Sequence, residues 1–244
     1  MRTFLCAYFC QRYGREFTLE PQRYIDLPIP RVVYSHDLFE HRTKGSWWDL
    51  LRGKYLVPAN ELRHAKKIIL LARDPRDCFV SLYLQMTRRT AETPGHLRRK
   101  TIGQMLRDER FGIRAMVETM NDWLREFHDH KNFALLRYEM IRSAAAESFH
   151  QLLEWLGETE PETPVLEQAI EFSRFENMQK MEATGAFDSK ILRPGDAHDL
   201  ESFKVRRGKV GGFEDYLGAE DRQYAAAAMR NLNSQFGYAA LEKK

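Results

Sequence analysis

Arginine, serine, histidine and glycine occur in this chain at spacings that suit the capture of an anion and the removal of a proton. Arg73 and Ser81 lie eight residues apart in KKIILLARDPRDCFVSLY, residues 66–83. Asp74 is a good N-cap, and Pro75 fits the first helical position, where its missing N–H costs nothing. Asp77, three residues after the cap, favours a first helical turn through the helix dipole. Free N–H groups at a helix start, a guanidinium and a hydroxyl then converge, as a phosphate site requires. The alternative is that Arg73 only pairs with Asp74 or Asp77 and that Ser81 is a surface residue.

A second set lies in KVRRGKVGGFEDYL, residues 204–217. Arg206, Arg207 and Lys209 surround Gly208, and Gly211 and Gly212 follow. Glycine lets the backbone approach a ligand closely, and paired arginines suit a phosphate. His36 stands in VVYSHDLF, just past a short apolar run. A histidine at the end of a strand lies at the edge where α/β sheets bind ligands, and it acts as a base if a substrate hydroxyl is in reach. The alternative is an exposed loop histidine.

The elements that must position these groups read as an α/β pattern. Residues 68–72 form an apolar run that suits a strand buried on both faces, with Arg73 at its end. Residues 31–34 read as another strand, set off by Pro28 and Pro30, and residues 133–137 (FALLR) as a third, ending in Tyr138 and Glu139. Residues 2–13 read as a helix with Phe4, Leu5, Tyr8 and Phe9 on one side. Residues 46–51 read as a short helix whose Trp47 and Trp48 line an acceptor pocket or pack in the core. Residues 87–100 carry five Lys or Arg and read as a polar loop at the rim of the site. Helical periods follow over 101–130, in two pieces meeting near Phe111 and Gly112, then over 144–156, from Thr163 to about Ser173, and over 219–235. The irregular stretch from residue 182 to about 210 reads as a lid or binding loop.

The chain has 244 residues, enough for one full core, and a single domain over 1–244 is expected. Hydrophobic residues make up 43% and charged residues 30%, as in soluble globular proteins. No apolar run approaches the roughly 20 residues of a membrane helix, and MRTFLCAYFC is too short for a signal peptide. Cys6, Cys10 and Cys78 lack metal-ligand spacing, and Cys6 and Cys10 read as packed thiols, which suits a reducing cytoplasm. The net charge of +3 is uneven. Residues 1–110 hold 21 Lys and Arg against 12 Asp and Glu, and residues 111–244 hold 17 against 23. The basic half suits an anionic small molecule, an anionic polymer or nucleic acid, and charge alone does not choose among them.

In order along the chain, these segments resemble the sulfotransferases that use 3′-phosphoadenosine 5′-phosphosulfate (PAPS). ARDPRDCFVSLY is similar to the family's 3′-phosphate motif, VVYSHDLF to the strand and turn that present its catalytic histidine, and LLRYEMIR to the segment whose tyrosine helps hold the adenosine. VRRGKVGGFEDY resembles the C-terminal glycine-rich cofactor motif, and SRFENM is a weaker match to an adenine-contacting segment. The resemblance implies an α/β fold with a P-loop-like central parallel sheet flanked by helices on both faces. It implies sulfuryl transfer from PAPS to a hydroxyl or amine of a small-molecule or glycan acceptor. Adenosine 3′,5′-bisphosphate (PAP) is then the product, and no metal and no nucleic acid take part. His36 would be the general base. Arg73, Ser81, Arg206, Arg207 and Gly208 would hold the 3′-phosphate, and Tyr138, Ser173 and Phe175 the adenosine.

The chain also departs from the family pattern. The family opens with a strand and a 5′-phosphosulfate loop bearing a lysine and ending in a tryptophan, and residues 2–13 resemble the helix that follows them. Tyr34 stands where many relatives have lysine, and Gly212 and Phe213 replace an acidic residue and a tryptophan. Loss of one electrostatic contact to the leaving phosphate costs about 10²–10³ in rate, so a chain without that loop is expected to turn over little. A nucleotide-binding remnant without turnover, and a nucleic-acid-binding protein using the basic half, are the alternatives.

Overall fold

The computed structural model describes residues 1–34, 65–90, 93–186 and 193–238. His36, Trp47 and Trp48 lie outside the described residues. In chain order the helices and strands are α1 (Arg2–Arg12), β1 (Ile68–Ala72), α2 (Pro75–Leu84), α3 (Gly95–Arg98), α4 (Ile102–Leu106), α5 (Ile113–Phe127), β2 (Phe133–Arg137), α6 (Tyr138–Ser143), α7 (Ala145–Leu156), α8 (Thr163–Phe172), α9 (Phe175–Thr184) and α10 (Ala219–Met229). They fall into two compact units. The first joins Met1–Val33 to Glu139–Gly208, and the second joins Tyr34–Tyr138 to Lys209–Lys244.

The second unit carries the α/β signature. β1 and β2 pair in parallel, Ile68 opposite Phe133 and Ala72 opposite Arg137. A parallel pair needs a long crossover, and the chain from α2 to α5 supplies it. The strand–turn–helix expectation is met at its ends. The Asp74 side chain accepts from the Arg76 N–H at 2.9 Å, and Pro75 opens α2. α2 buries Phe79, Val80 and Leu84 in a core with Met105 and Leu106 of α4, Ile113 and Met116 of α5, and Ala225 and Ala228 of α10. α4 is fixed by a capping box between Thr101 and Gln104. Ala72, Leu124 and Phe236 form a second cluster beside the strands.

In the first unit α1 packs against α8, and Phe4 stacks on Phe149 with ring centroids 3.7 Å apart. Cys6 and Cys10 are buried free thiols, as expected of packed cysteines. Burial is the main force pushing the Cys6 thiol up to about 11. Gly157 closes α7 at φ +114°, where a side chain would be strained.

Several local expectations are corrected. Residues 31–34 form no strand, and Val33 is 56% exposed. A β-branched run becomes a strand only where a neighbour takes its hydrogen bonds. β1 is not sealed on both faces, since Leu71 is 38% exposed. The 87–100 stretch is more regular than a loop, containing the end of a π-helical turn (Gln85–Arg89) and α3. α1 is not one-sided: every residue from Thr3 to Cys10 is buried. α6 and α9 were not expected as helices. α10 stops at Met229, and a 3-10 turn, Ser234–Phe236, follows it. Among the described residues no helix is long and apolar enough to cross a membrane.

Candidate functional site

In the second unit, Arg73 leaves β1 and reaches three groups. Its Nη2 donates to the Lys209 carbonyl at 3.3 Å and pairs with Asp77 Oδ2 at 3.3 Å. Its guanidinium lies over the Tyr138 ring, 4.7 Å from the centroid. Tyr138 directly follows β2, the strand paired with β1, so the parallel register brings Arg73 and Tyr138 to the same sheet edge. Arg73 Nε is buried and makes no hydrogen bond among the described residues. A buried donor without an acceptor is costly. Ser81 lies further along α2 and is exposed.

Asp77 does more than favour the helix dipole. Its carboxylate is 1% exposed and accepts from the Gly211 N–H at 3.0 Å and the Phe213 N–H at 2.9 Å. It therefore pins the glycine-rich turn to the start of α2 while holding Arg73. Asp74 takes Arg76 instead, with Nε to Oδ1 at 3.0 Å and Nη2 to Oδ2 at 2.6 Å. Burial disfavours the Arg76 charge, but the bonds to Asp74 and the nearby Asp77 and Glu214 outweigh it, so its pKa is raised. Its guanidinium also covers the Phe213 ring at 4.3 Å.

In the first unit, α9 organises the arginine segment. Phe175 opens α9, and Gly208 lies against its ring: a Cβ on Gly208 would sit 2.5 Å from Phe175 Cδ2. Gly208 also has φ +58°, so both the close approach and the left-handed backbone require glycine. Arg142 covers the same ring at 5.6 Å. Gln179 donates to the Val205 and Arg206 carbonyls at 3.1 and 2.9 Å. Buried Glu182 accepts from the Lys204 and Val205 N–H groups, both at 2.8 Å. Ser173 closes α8, and its hydroxyl donates to the Ile170 carbonyl at 3.2 Å. Arg206 and Arg207 meet at one carboxylate. Glu201 Oε2 accepts from Arg206 Nη1 at 2.8 Å and its Oε1 from Arg207 Nη2 at 3.2 Å.

The structure thus joins Arg73 with Tyr138 in one unit, and Phe175 with Gly208 and Arg206 with Arg207 in the other. Asp77 was singled out from sequence as a helix-start residue and as the alternative partner of Arg73, a pair the structure makes, whereas Gln179, Glu182 and Glu201 were not. A signal for two of them was present, because Phe175, Gln179 and Glu182 fall at i, i+4 and i+7, one face of a helix.

Residues 53–237 match the sequence model of the sulfotransferase domain family. The match spans most of the chain and takes in every candidate cofactor-binding residue, but not His36, Trp47 or Trp48. Within an α/β chain that carries an arginine turn and an arginine–glycine turn, that match defines its class, and the chain belongs to the sulfotransferase domain family. It is similar to cytosolic sulfotransferase 17 of Arabidopsis thaliana, 26% identical over 179 residues, which cover 68% of this chain and 49% of the relative. Cytosolic sulfotransferase 16 of the same plant is 24% identical over 179 residues, covering 68% and 50%. The chain spans about half the length of the curated relatives it matches. The fold is similar to the crystal structure of mouse sulfotransferase SULT7A1 complexed with PAP, with a TM-score of 0.53 and 19% identity over 72% of this chain and 62% of that one. It is also similar to retinol dehydratase in complex with androsterone and inactive cofactor PAP, with a TM-score of 0.51 and 19% identity over 70% and 48%.

Proposed function

We propose that this chain binds PAPS and transfers its sulfuryl group to a hydroxyl or amine of a small-molecule acceptor. The observation that carries the reading is the Arg73 turn inside the family match: a guanidinium fixed by Asp77 and Tyr138, with a buried Nε that lacks an acceptor among the described residues. The arginine pair and the ring against Gly208 support it from the first unit. Two of the similar structures are PAP complexes.

PAPS, when bound, supplies the activated sulfuryl group. Arg73, and Ser81 on α2, would hold its 3′-phosphate, with Arg206, Arg207 and the Gly208 backbone assigned to the same group by the family resemblance. Tyr138, Ser173 and Phe175 would hold the adenosine. His36 would accept the acceptor's proton as it attacks. Fixed arginines lower the ordering cost of binding, and fixing the donor supplies part of the rate, since in-line transfer needs a set angle. The names of the plant relatives support a cytoplasmic location.

Titration calorimetry with PAP tests the reading on the wild-type chain and an Arg73→Ala, Ser81→Ala variant. Micromolar binding that is lost in the variant is the expected result. A folded wild-type chain that ignores PAP but binds RNA with steep salt dependence overturns it. Transfer to a phenolic or alcoholic acceptor, assayed with PAPS on wild type and His36→Ala, then separates a turning-over enzyme from a nucleotide-binding chain without turnover.

A further inference from the structure

Glu201 occupies the anion position of the arginine pair. It lies in a short 3-10 turn, Leu200–Ser202, and that turn is built to present it. The Asp199 carboxylate accepts from the Glu201 N–H at 3.0 Å. Ser202 is buried, its hydroxyl donating to the Asp196 carbonyl at 2.7 Å and accepting from the Asp196 N–H at 2.9 Å. The two oxygens of Glu201 then take one N–H from each arginine. The Arg206 side chain is 16% exposed, so this guanidinium is held largely out of water. On the other side of the pair, Gln179 and Glu182 fix the backbone of residues 204–206. Both the cations and the carboxylate are therefore held in register by separate contacts.

We infer that Glu201 is an internal counterion that an incoming phosphate must displace, and that it sets the affinity of the arginine pair for the 3′-phosphate. The inference rests on the nucleotide reading above. A carboxylate with two oxygens on two guanidiniums copies the bonding of a phosphate edge. While it is in place, the arginines have fewer N–H groups and less positive potential to offer. When a doubly charged phosphate arrives, like-charge repulsion drives the carboxylate off the pair. The exchange subtracts the Glu201 contacts from the binding energy. It also leaves the arginine pair ordered before the ligand comes, so the residue trades affinity for preorganisation.

The test is titration of wild type, Glu201→Gln and Glu201→Asp with PAP, and in parallel with adenosine 5′-monophosphate, which lacks the 3′-phosphate. Glu201→Gln keeps the side chain's size and removes its charge. PAP should bind it on the order of tenfold more tightly, while binding of the monophosphate stays within about twofold. Glu201→Asp, whose carboxylate is one methylene shorter, should fall between wild type and Glu201→Gln, and it serves if Glu201→Gln fails to fold. A salt series adds a second readout, because the gain should shrink as added salt screens the pair. PAP binding that is unchanged or weaker in the variants overturns the counterion role and leaves the nucleotide reading standing, provided wild type binds. A tightening shared equally by the monophosphate overturns it too, because the effect would not act at the 3′-phosphate. If neither wild type nor any variant binds PAP, the nucleotide reading falls, and the counterion role with it.

Discussion

The two units fasten a cationic turn by the same device and differ in what the device carries. In the second unit, Asp77 at the start of α2 accepts the Gly211 and Phe213 N–H groups. In the first, Glu182 at the end of α9 accepts the Lys204 and Val205 N–H groups. Both carboxylates are buried, and each satisfies two backbone donors of a segment that arrives from elsewhere in the chain. Asp77 also pairs with Arg73, so one group fixes the turn and the cation together. Glu182 fixes only the turn, and Glu201 takes the cations. One unit couples the shape of its turn to its charge, while the other keeps them separate.

The largest expected effect comes from breaking the coupled device. Asp77→Ala strands two backbone donors and a guanidinium at once. Removing one partner of a buried pair costs about 3–5 kcal/mol, and urea unfolding should show a loss of that size. The Gly211 and Phe213 amides should exchange faster with solvent in the same variant. A loss below about 1 kcal/mol would break the comparison, because the carboxylate would then not be holding the turn.

The separate device should break in parts. Glu182→Gln keeps one amide oxygen as an acceptor and leaves a backbone donor unmet, at a cost of about 1–3 kcal/mol. A double-mutant cycle sharpens the contrast. Asp77→Asn with Arg73→Ala should show an interaction energy above about 0.5 kcal/mol, and Glu182→Gln with Arg206→Ala should be additive within that figure. Additivity in the first cycle would contradict the coupling. Gly208→Ala should cost about 1–2 kcal/mol from its left-handed backbone, plus whatever displacement of Phe175 adds. Equal stability of Gly208→Ala and wild type in urea would show that the turn relaxes freely.

How much of this was legible in the sequence depends on the range of each interaction. The turn at Asp74 and Pro75 was readable because a cap acts over three residues, and β2 was readable from FALLR alone. Asp77 was read as a helix-start residue and as the alternative partner of Arg73, but its hold on the glycine-rich turn was not legible, because the Gly211 and Phe213 N–H groups lie 134 and 136 positions away. The Arg206–Arg207 pair was visible as charge, but Glu201, five and six residues upstream, looked like part of an irregular lid. Residues 31–34 failed as a strand for the reverse reason. Their composition suits a strand, but strand formation depends on a partner that composition cannot supply. α9 was missed because SRFENM was read as a contact motif, and the face shared by Phe175, Gln179 and Glu182 was not followed.

A third carboxylate of the same kind gives the smallest effect, and pH provides its readout. Asp108 Oδ1 accepts from the Arg110 and Phe111 N–H groups at 2.9 and 3.0 Å, and Oδ2 pairs with Lys100 at 2.5 Å. Like Asp77 it joins two backbone donors to one cation, but it is less deeply buried. Burial raises its pKa, and the bonds from Lys100, Arg110 and Phe111 outweigh burial, so the net shift is downward. A carboxylate whose pKa falls on folding stabilises the folded state above its unfolded pKa, about 3.9 for aspartate, and loses that contribution as the pH drops through its folded value. Wild type should therefore exceed Asp108→Asn by about 1 kcal/mol at neutral pH, with the gap closing below about pH 4. Urea midpoints of both proteins from pH 7 downward would show it. A gap that stays constant with pH would mean that Asp108 acts through its shape as a turn residue and not through its charge, and coupling of turn to cation would then be particular to Asp77.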